Sequence, residues 1–125
     1  MSIPWTPGRR NAFIMSVLRS GTRRWPAKWD VLEDAKTEKR INPKTGRLAQ
    51  MYCCASCSGE FTSKEVEVDH IHPVVPLTGF IGWDDVIERI FCSADKLQVL
   101  CTVCHKKKTK EENKKRKDIA DPSTS

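Results

Sequence analysis

Two Cys-x-x-Cys pairs, Cys54/Cys57 and Cys101/Cys104, carry the strongest chemical signal in this 125-residue chain. Each pair can present two sulfurs to one ion, and four thiolates are a common ligand set for structural zinc. The 43 residues between the pairs exceed the short loops of most zinc ribbons, so a further element must be inserted there. We therefore predict that the four cysteines hold one structural Zn²⁺.

The other two cysteines fit this site less well. Cys53 is a rival to Cys54, but it would give a Cys-x-x-x-Cys spacing unlike that of the second pair. Cys92 has no partner at that spacing, so we expect it to pack in the core. The alternative for the paired cysteines, that they are only small buried side chains, is disfavoured by their matching spacing.

Asp69, His70 and His105 form a second group that could do chemistry. Asp69 and His70 end a segment whose apolar residues alternate with period two, as in a half-buried strand, and His105 directly follows the second cysteine pair. A carboxylate and an imidazole can hold a divalent cation and leave positions open for water and phosphate oxygens. A neighbouring imidazole is a suitable base at neutral pH. The ordinary alternative for an isolated Asp-His pair is a strand-end histidine capped by a hydrogen bond.

The charge of the chain is unevenly distributed. Residues 1–47 contain 11 Lys/Arg and 4 Asp/Glu, residues 48–105 contain 3 and 8, and residues 106–125 contain 8 and 4. An acidic centre suits cation binding, whereas basic flanks suit a phosphate backbone. The alternative is that lysine-rich ends only keep a small protein in solution.

Composition predicts an intracellular globular domain. Hydrophobic residues make up 38% of the chain and charged residues 30%, and no apolar run approaches the roughly 20 residues needed to cross a bilayer. The segment from Met1 to Arg10 lacks the apolar centre of a signal peptide. We therefore expect a cytoplasmic protein with no membrane partner. In a reducing compartment the cysteines favour metal ligation over disulfides.

Hydrophobic periodicity predicts an α+β fold with N-terminal helices. Residues 9–20 read as a helix whose apolar face contains Phe13, Ile14, Val17 and Leu18. Pro26 begins a second helix that reaches Lys39 and turns Trp29 and Leu32 inward. Further along, the patterns predict a turn over 42–47, strands over 66–71 and 97–100, and helices over 83–91 and from Cys104 to about Arg116.

Together these residues resemble the HNH endonuclease family, over about Tyr52 to Thr109. The motifs that carry the resemblance are Cys54-x-x-Cys57, Val68-Asp69-His70-Ile71-x-Pro73, and Leu97-Gln98-x-Leu100-Cys101-x-x-Cys104-His105-x-x-Lys108-Thr109. Three further segments are similar to small bacteriophage HNH proteins: Gly79 to Cys92, Arg24-Trp25-Pro26 and Thr45-Gly46-Arg47.

The resemblance implies a ββα-metal core and hydrolysis of phosphodiester bonds in double-stranded DNA. His70 would be the general base, Asp69 and His105 would hold a catalytic Mg²⁺ or Mn²⁺, and the four cysteines would bind structural zinc. Small phage proteins of this kind further imply a phage-encoded enzyme in the host cytoplasm, with a terminase or packaging protein as a partner. The competing interpretation is a zinc-stabilised module that binds DNA or docks to a protein without cleaving.

One position departs from the family pattern. Lys96 occupies the place of the middle asparagine, which braces the loop between the two strands, and lysine can donate a hydrogen bond but cannot accept one. Neighbouring Asp95 is the alternative acceptor. Lys96 is therefore included among the expected active-site residues. Given a nuclease, five basic residues are the expected DNA contacts: Lys106, Lys107, Lys108, Arg23 and Arg24.

These expectations divide the chain into three parts. Residues 1–50 would form a basic helical extension, residues 51–117 the nuclease core with its zinc knuckles, and residues 118–125 a disordered tail.

Overall fold

The computed structural model of this chain describes residues 5–120 and mixes helices and strands. The elements are, in order, α1 (Pro7–Gly21), α2 (Pro26–Ala35), β1 (Lys36–Ile41), β2 (Leu48–Cys53), β3 (Glu60–Thr62), β4 (Val66–His70), α3 (Trp83–Ile90), β5 (Leu97–Cys101) and α4 (Thr102–Ala120). Short 3₁₀ turns occupy Thr22–Arg24, Ser63–Glu65 and Ala94–Lys96.

The strands form two antiparallel sheets, one of three strands in the order β1-β2-β3 and one that pairs β4 with β5. In the smaller sheet Asp69 lies opposite Gln98, and His70 lies opposite Leu97. Helix α4 begins at the residue after β5, so His105 lies in its first turn. The predicted strands over 66–71 and 97–100 are therefore confirmed, as are the helices that follow each of them.

Two small clusters of buried residues hold the fold together. The first contains Cys54, which directly follows β2, and Leu100 and Cys101 of β5, so it packs the end of β2 against β5. The second contains Val86 and Ile90 of α3, which pack with Val74 and with Met15 and Leu18 of α1. Burial of each such aliphatic side chain contributes about 1.5–3 kcal/mol, so these few residues carry much of the apolar stabilisation.

The second helix ends earlier than predicted. Helix α2 stops at Ala35, and Lys39 lies in strand β1, opposite Gln50 of β2. Lysine and glutamate are good helix formers, so the local preference of this segment is for helix. Pairing with β2 overrides it, because cross-strand hydrogen bonds are contacts that a local pattern cannot show.

The apolar face of α1 matches the predicted one only in part. Phe13 and Val17 are 61% and 53% exposed, whereas Leu18, predicted to share their face, packs against the core together with Met15, which was not predicted to do so. Ile14, of the same predicted face, is half-buried. In α2, Trp29 was predicted to face inward and is 57% exposed, whereas Leu32, predicted likewise, is half-buried.

Both ends of the predicted nuclease core fall inside regular structure. Strand β2 crosses the expected boundary at residue 50, and α4 continues past Arg116 to Ala120. Of the expected tail, residues 121–125 lie outside the described part of the chain. Within residues 5–120, no helix combines the length and the apolar character that crossing a membrane would require.

Candidate active site and metal centre

The four predicted zinc ligands come together. The four sulfurs, of Cys54, Cys57, Cys101 and Cys104, all lie within 4.8 Å of one another. Those of Cys57 and Cys101 are 4.0 Å apart. Sulfurs bound tetrahedrally to zinc at about 2.3 Å are about 3.8 Å apart, so the donor set fits one Zn²⁺. Among residues 5–120, this is the one group of three or more potential ligands with such spacing.

Backbone hydrogen bonds build the first knuckle, around Cys54 and Cys57. The N–H of Cys54 donates to Gly59 O at 2.9 Å, and the N–H of Ser58 returns to Cys54 O at 2.9 Å. A Cβ at Gly59 would lie 2.8 Å from the Phe61 ring, so a larger residue there would have to displace that ring. Ala55 N–H donates to Val99 O at 2.8 Å and so ties this knuckle to β5.

The thiols cannot all ionise easily without a cation. Burial acts to raise the pKa of the Cys54 thiol, but hydrogen bonds from the backbone of Cys57, Cys101 and Ser56 outweigh burial and lower that pKa to about 6. The hydrogen bond with Cys101, together with burial, raises the pKa of Cys104 to about 12. A divalent ion would offset the repulsion between thiolates, so its binding must release protons.

Cys53 and Cys92 lie outside this cluster. The Cys53 thiol faces the Cys54 carbonyl at 3.6 Å, and Cys92 is buried, with its pKa raised by that burial. It is Cys54, the residue favoured by the spacing, whose sulfur lies in the cluster.

Asp69 and His105 face each other across β4 and α4. The Nε2 of His105 is 3.6 Å from Asp69 Oδ1, and its Nδ1 is 2.8 Å from Glu67 Oε2. A carboxylate can only accept, so Nδ1 carries the hydrogen and Nε2 of the neutral ring keeps its lone pair toward Asp69. Two ligands of one divalent ion lie roughly 3–4 Å apart, so these two atoms fit a shared cation.

The second oxygen of Asp69 is held by the protein. Gln98 Nε2 and Lys108 Nζ each donate to Asp69 Oδ2 at 3.1 Å, which leaves Oδ1 on the side of His105. Lys108 also donates to His70 O at 3.0 Å and to Glu112 Oε1 at 2.7 Å. Burial acts to lower the pKa of Lys108, but the bonds to Glu112 and Asp69 outweigh it and raise that pKa above its usual value. Its ammonium therefore anchors the site internally.

His70 is fixed through one ring nitrogen. Its Nε2 is 2.9 Å from the carbonyl oxygen of Ile90, at the end of α3. Because a carbonyl accepts and does not donate, Nε2 carries the hydrogen of the neutral ring, and Nδ1 keeps the free lone pair. The predicted base is thus held in the tautomer that leaves one nitrogen able to accept a proton.

Asp69, His70 and His105 line one cavity of about 520 Å³ between β4, α4 and the loop after β4. Besides Lys108, two arginines share its wall: Arg19 of α1 and Arg116 of α4. Arg116 donates to Val75 O at 2.6 Å and to Pro76 O at 2.8 Å, which holds that loop against α4. The cavity therefore combines a carboxylate and imidazoles, which could bind a divalent ion, with basic side chains, which could bind a phosphodiester.

Lys96 lies elsewhere, in a separate cavity that it shares with His72 and Cys92. Its backbone does brace the loop between the strands, because Ile71 N–H donates to Lys96 O at 3.0 Å. Asp95 accepts a hydrogen bond from Ser93 Oγ, which lowers its pKa. Asp95 is thus bonded within its own turn.

The expected DNA contacts divide into two groups. Lys108 lies in the cavity, bonded to Asp69 as described above. The others are exposed, two in the turn after α1 and two on the first turns of α4: Arg23, Arg24, Lys106 and Lys107.

Glu67 and Gln98 were not predicted, although the sequence contains a signal for each. Strand residues two apart share a face, so Glu67 must lie beside Asp69. Gln98 lies opposite Asp69 in the paired strand, where cross-strand side chains meet. Both follow from the strand register once Asp69 is taken as a ligand.

Comparison with known proteins agrees with this geometry in part. Over 59 residues the chain is 44% identical to a probable HNH endonuclease of Lactococcus phage SK1. The similarity suggests the HNH endonuclease family. The matched stretch is 46% of this chain and 54% of the phage protein, so the chain spans about half the length of that relative. No model of a known protein family matches the chain, and no solved structure matches it significantly.

Proposed function

We propose that this protein is an HNH endonuclease that hydrolyses phosphodiester bonds of double-stranded DNA with a divalent cation. The observation that carries the proposal is the pairing of Asp69 Oδ1 with His105 Nε2 at 3.6 Å in the cavity that also contains His70. The partial similarity to a probable phage HNH endonuclease supports it. Strands β4 and β5 with helix α4 then correspond to the ββα-metal core, stapled by zinc on the four cysteines.

In this proposal His70 accepts the proton of the attacking water at Nδ1. The Ile90 carbonyl holds the other nitrogen at 2.9 Å, so the ring keeps one orientation and one tautomer. General-base catalysis of this kind contributes about 10²–10⁴ in rate.

Asp69 and His105 are the proposed ligands of the catalytic Mg²⁺ or Mn²⁺. When bound, such a cation supplies positive charge that stabilises the scissile phosphate and the leaving oxygen. The hydrogen-bonded cluster suits a divalent ion, because it contains three carboxylates but one ammonium: Asp69 and Glu112 pair with Lys108, and Glu67 bonds to His105.

The proposed biological setting follows from the resemblance to small bacteriophage proteins. It is a phage-encoded enzyme of the host cytoplasm, with a terminase or packaging protein as partner. The exposed lysines and arginines around the cavity are proposed to contact the phosphates of DNA.

The direct test is cleavage of supercoiled plasmid by the purified, zinc-loaded protein. We expect nicked or linear product with added Mg²⁺ or Mn²⁺ and none when these ions are omitted. Omission is preferable to a chelator, which would also remove the structural ion. Intact plasmid under all conditions, with salt-sensitive DNA binding, would instead support the non-cleaving module that Lys96 at the asparagine position favours.

Glu67 gives a second test, independent of cleavage. Its hydrogen bond presents Nε2 of His105 to the cation, so Glu67→Ala should weaken Mn²⁺ binding about 10–100-fold, the usual effect of losing such a partner. Glu67→Gln keeps an acceptor for the Nδ1 hydrogen and should restore much of that affinity. Electron paramagnetic resonance of free Mn²⁺ measures both, and equal affinity in all three proteins would remove Glu67 from this role.

A further inference from the structure

The hairpin of β1 and β2, residues 36–53, contains the most exposed strand of the larger sheet, and we name it the basic ribbon. All six residues of β1 are exposed, so this strand adds little to the apolar core. The ribbon contains five Lys/Arg and one Asp/Glu. Strand β1 thus contributes little to the core and nothing to the candidate active site, so its basic side chains are candidates for binding a partner.

Part of that charge is already neutralised. Lys36 pairs with Glu33 at 2.7 Å, and Arg40 pairs with Glu60 at 2.7 Å. Three basic side chains of the ribbon form no ion pair with any residue of the described range 5–120: Lys39, Lys44 and Arg47. These three cations are available to a partner.

The end of the ribbon is rigid and presents apolar side chains. Asn42 N–H donates to Arg47 O at 2.8 Å, and Gly46 N–H, at a φ of +71°, donates to Asn42 O at 2.7 Å. Ile41 and Leu48 lie opposite each other beside this turn, and each is 62% exposed. An ordered tip binds with less loss of entropy than a flexible loop does.

The ribbon is also tied to the candidate active site. Strand β2 ends at Cys53, directly before the first cysteine of the four-sulfur cluster. Cys104 of the same cluster directly precedes His105 in α4. One ion on these thiolates would therefore fix the ribbon relative to the cavity.

We propose that the basic ribbon binds in the major groove of double-stranded DNA. A two-stranded ribbon fits the groove width of about 12 Å, and six-residue strands extend about 20 Å along it. Lys39, Lys44 and Arg47 contact phosphates on the groove walls, while Ile41 and Leu48 meet base edges, where thymine offers a methyl group. The assignment rests on the proposed function, since it locates the DNA-binding surface of that enzyme.

The test is the affinity of the zinc-loaded protein for a fluorescent 30-base-pair duplex, measured by anisotropy without Mg²⁺ at several salt concentrations. The variant changes Lys39, Lys44 and Arg47 to alanine. The matched control changes Lys28, Lys64 and Lys117 to alanine, which removes the same charge from other elements. Zinc content and circular dichroism of each protein confirm that it is folded.

We expect the ribbon variant to bind at least about tenfold more weakly at low salt. The slope of log K against log salt should fall by about 2–3, since each lost phosphate contact removes about 0.9. The control should change less in both respects. Equal losses in the two variants would overturn the inference, because net charge alone would explain them. Single-stranded DNA bound as tightly as the duplex would also overturn it.

Binding and cleavage separate this inference from the proposed function. A protein that never cuts DNA, yet loses duplex affinity only in the ribbon variant, would refute the nuclease and keep the ribbon. A nuclease whose duplex affinity is unchanged in that variant would refute the ribbon alone.

Discussion

Replacement of His70 by alanine is expected to reduce plasmid cleavage by about 10²–10⁴-fold, the contribution usual for a general base. The Ile90 carbonyl fixes one ring nitrogen, Nε2, which leaves Nδ1 able to accept a proton, and His70 lines the cavity. The four-cysteine cluster and the Asp69–His105 pair are built from other side chains, so zinc content and Mn²⁺ affinity should persist. The measurement is the rate of nicking under single-turnover conditions in Mg²⁺.

His72 provides the matched control for this variant. It is a histidine two residues away that lines a different cavity, with Lys96 and Cys92. His72→Ala should therefore cut at close to the wild-type rate. The His70 variant, purified in the same way, also detects a contaminating nuclease. Undiminished cutting by His70→Ala would show that another group activates the water.

His70→Ala should also lower the free energy of unfolding, and this loss must be measured separately from the loss of catalytic rate. His70→Ala removes the hydrogen bond to Ile90 O, which contributes about 0.5–1.5 kcal/mol in a typical case. That loss leaves a domain of ordinary stability folded. Thermal unfolding of the variant measures it directly, so a lower rate can be assigned to chemistry only if the assay temperature lies well below the transition.

The cysteine spacing predicted a cluster of four sulfurs, and the sequence motifs singled out Asp69 and His105, which the structure places side by side. A Cys-x-x-Cys turn is a local feature, and strands β4 and β5 are indicated by the alternation of apolar residues. Short-range sequence patterns therefore predict both the turns and the strands. The meeting of Asp69 with His105 depends on a helix that begins directly after Cys101, and the sequence shows that adjacency. The pairing of β4 with β5, which brings these segments together, is a distant contact that the local patterns do not show.

The ribbon could not be predicted in the same way. The segment Lys36–Ile41 lacks alternating apolar residues and is rich in helix-forming lysine and glutamate, so its extended form depends on pairing with β2. The ion pairs of Lys108 could not be predicted from the sequence either. Its position in α4 suggested a solvent-facing phosphate contact, yet tertiary packing places its ammonium between Asp69 and Glu112.

Replacement of Cys101 by serine is expected to unfold the core rather than merely slow the enzyme. Cys101 is buried beside Cys54 and Leu100 in the first core cluster, and its sulfur accepts from the N–H of Cys104 at 3.5 Å. Structural zinc contributes about 10–16 kcal/mol of apparent binding free energy in small domains, which equals or exceeds the stability of most. A serine oxygen is a poor replacement for a thiolate in that site.

Cys53→Ser is the matched control, since the same chemical change there removes a thiol outside the cluster. We expect about one zinc per chain in the wild type and in Cys53→Ser, by elemental analysis, and far less in Cys101→Ser. Near-ultraviolet circular dichroism should lose its signal only in the Cys101 variant. A zinc-free Cys101→Ser protein with native spectra and stability would show that packing of the small core suffices. Zinc would then not be what stabilises the core or what fixes the basic ribbon relative to His105.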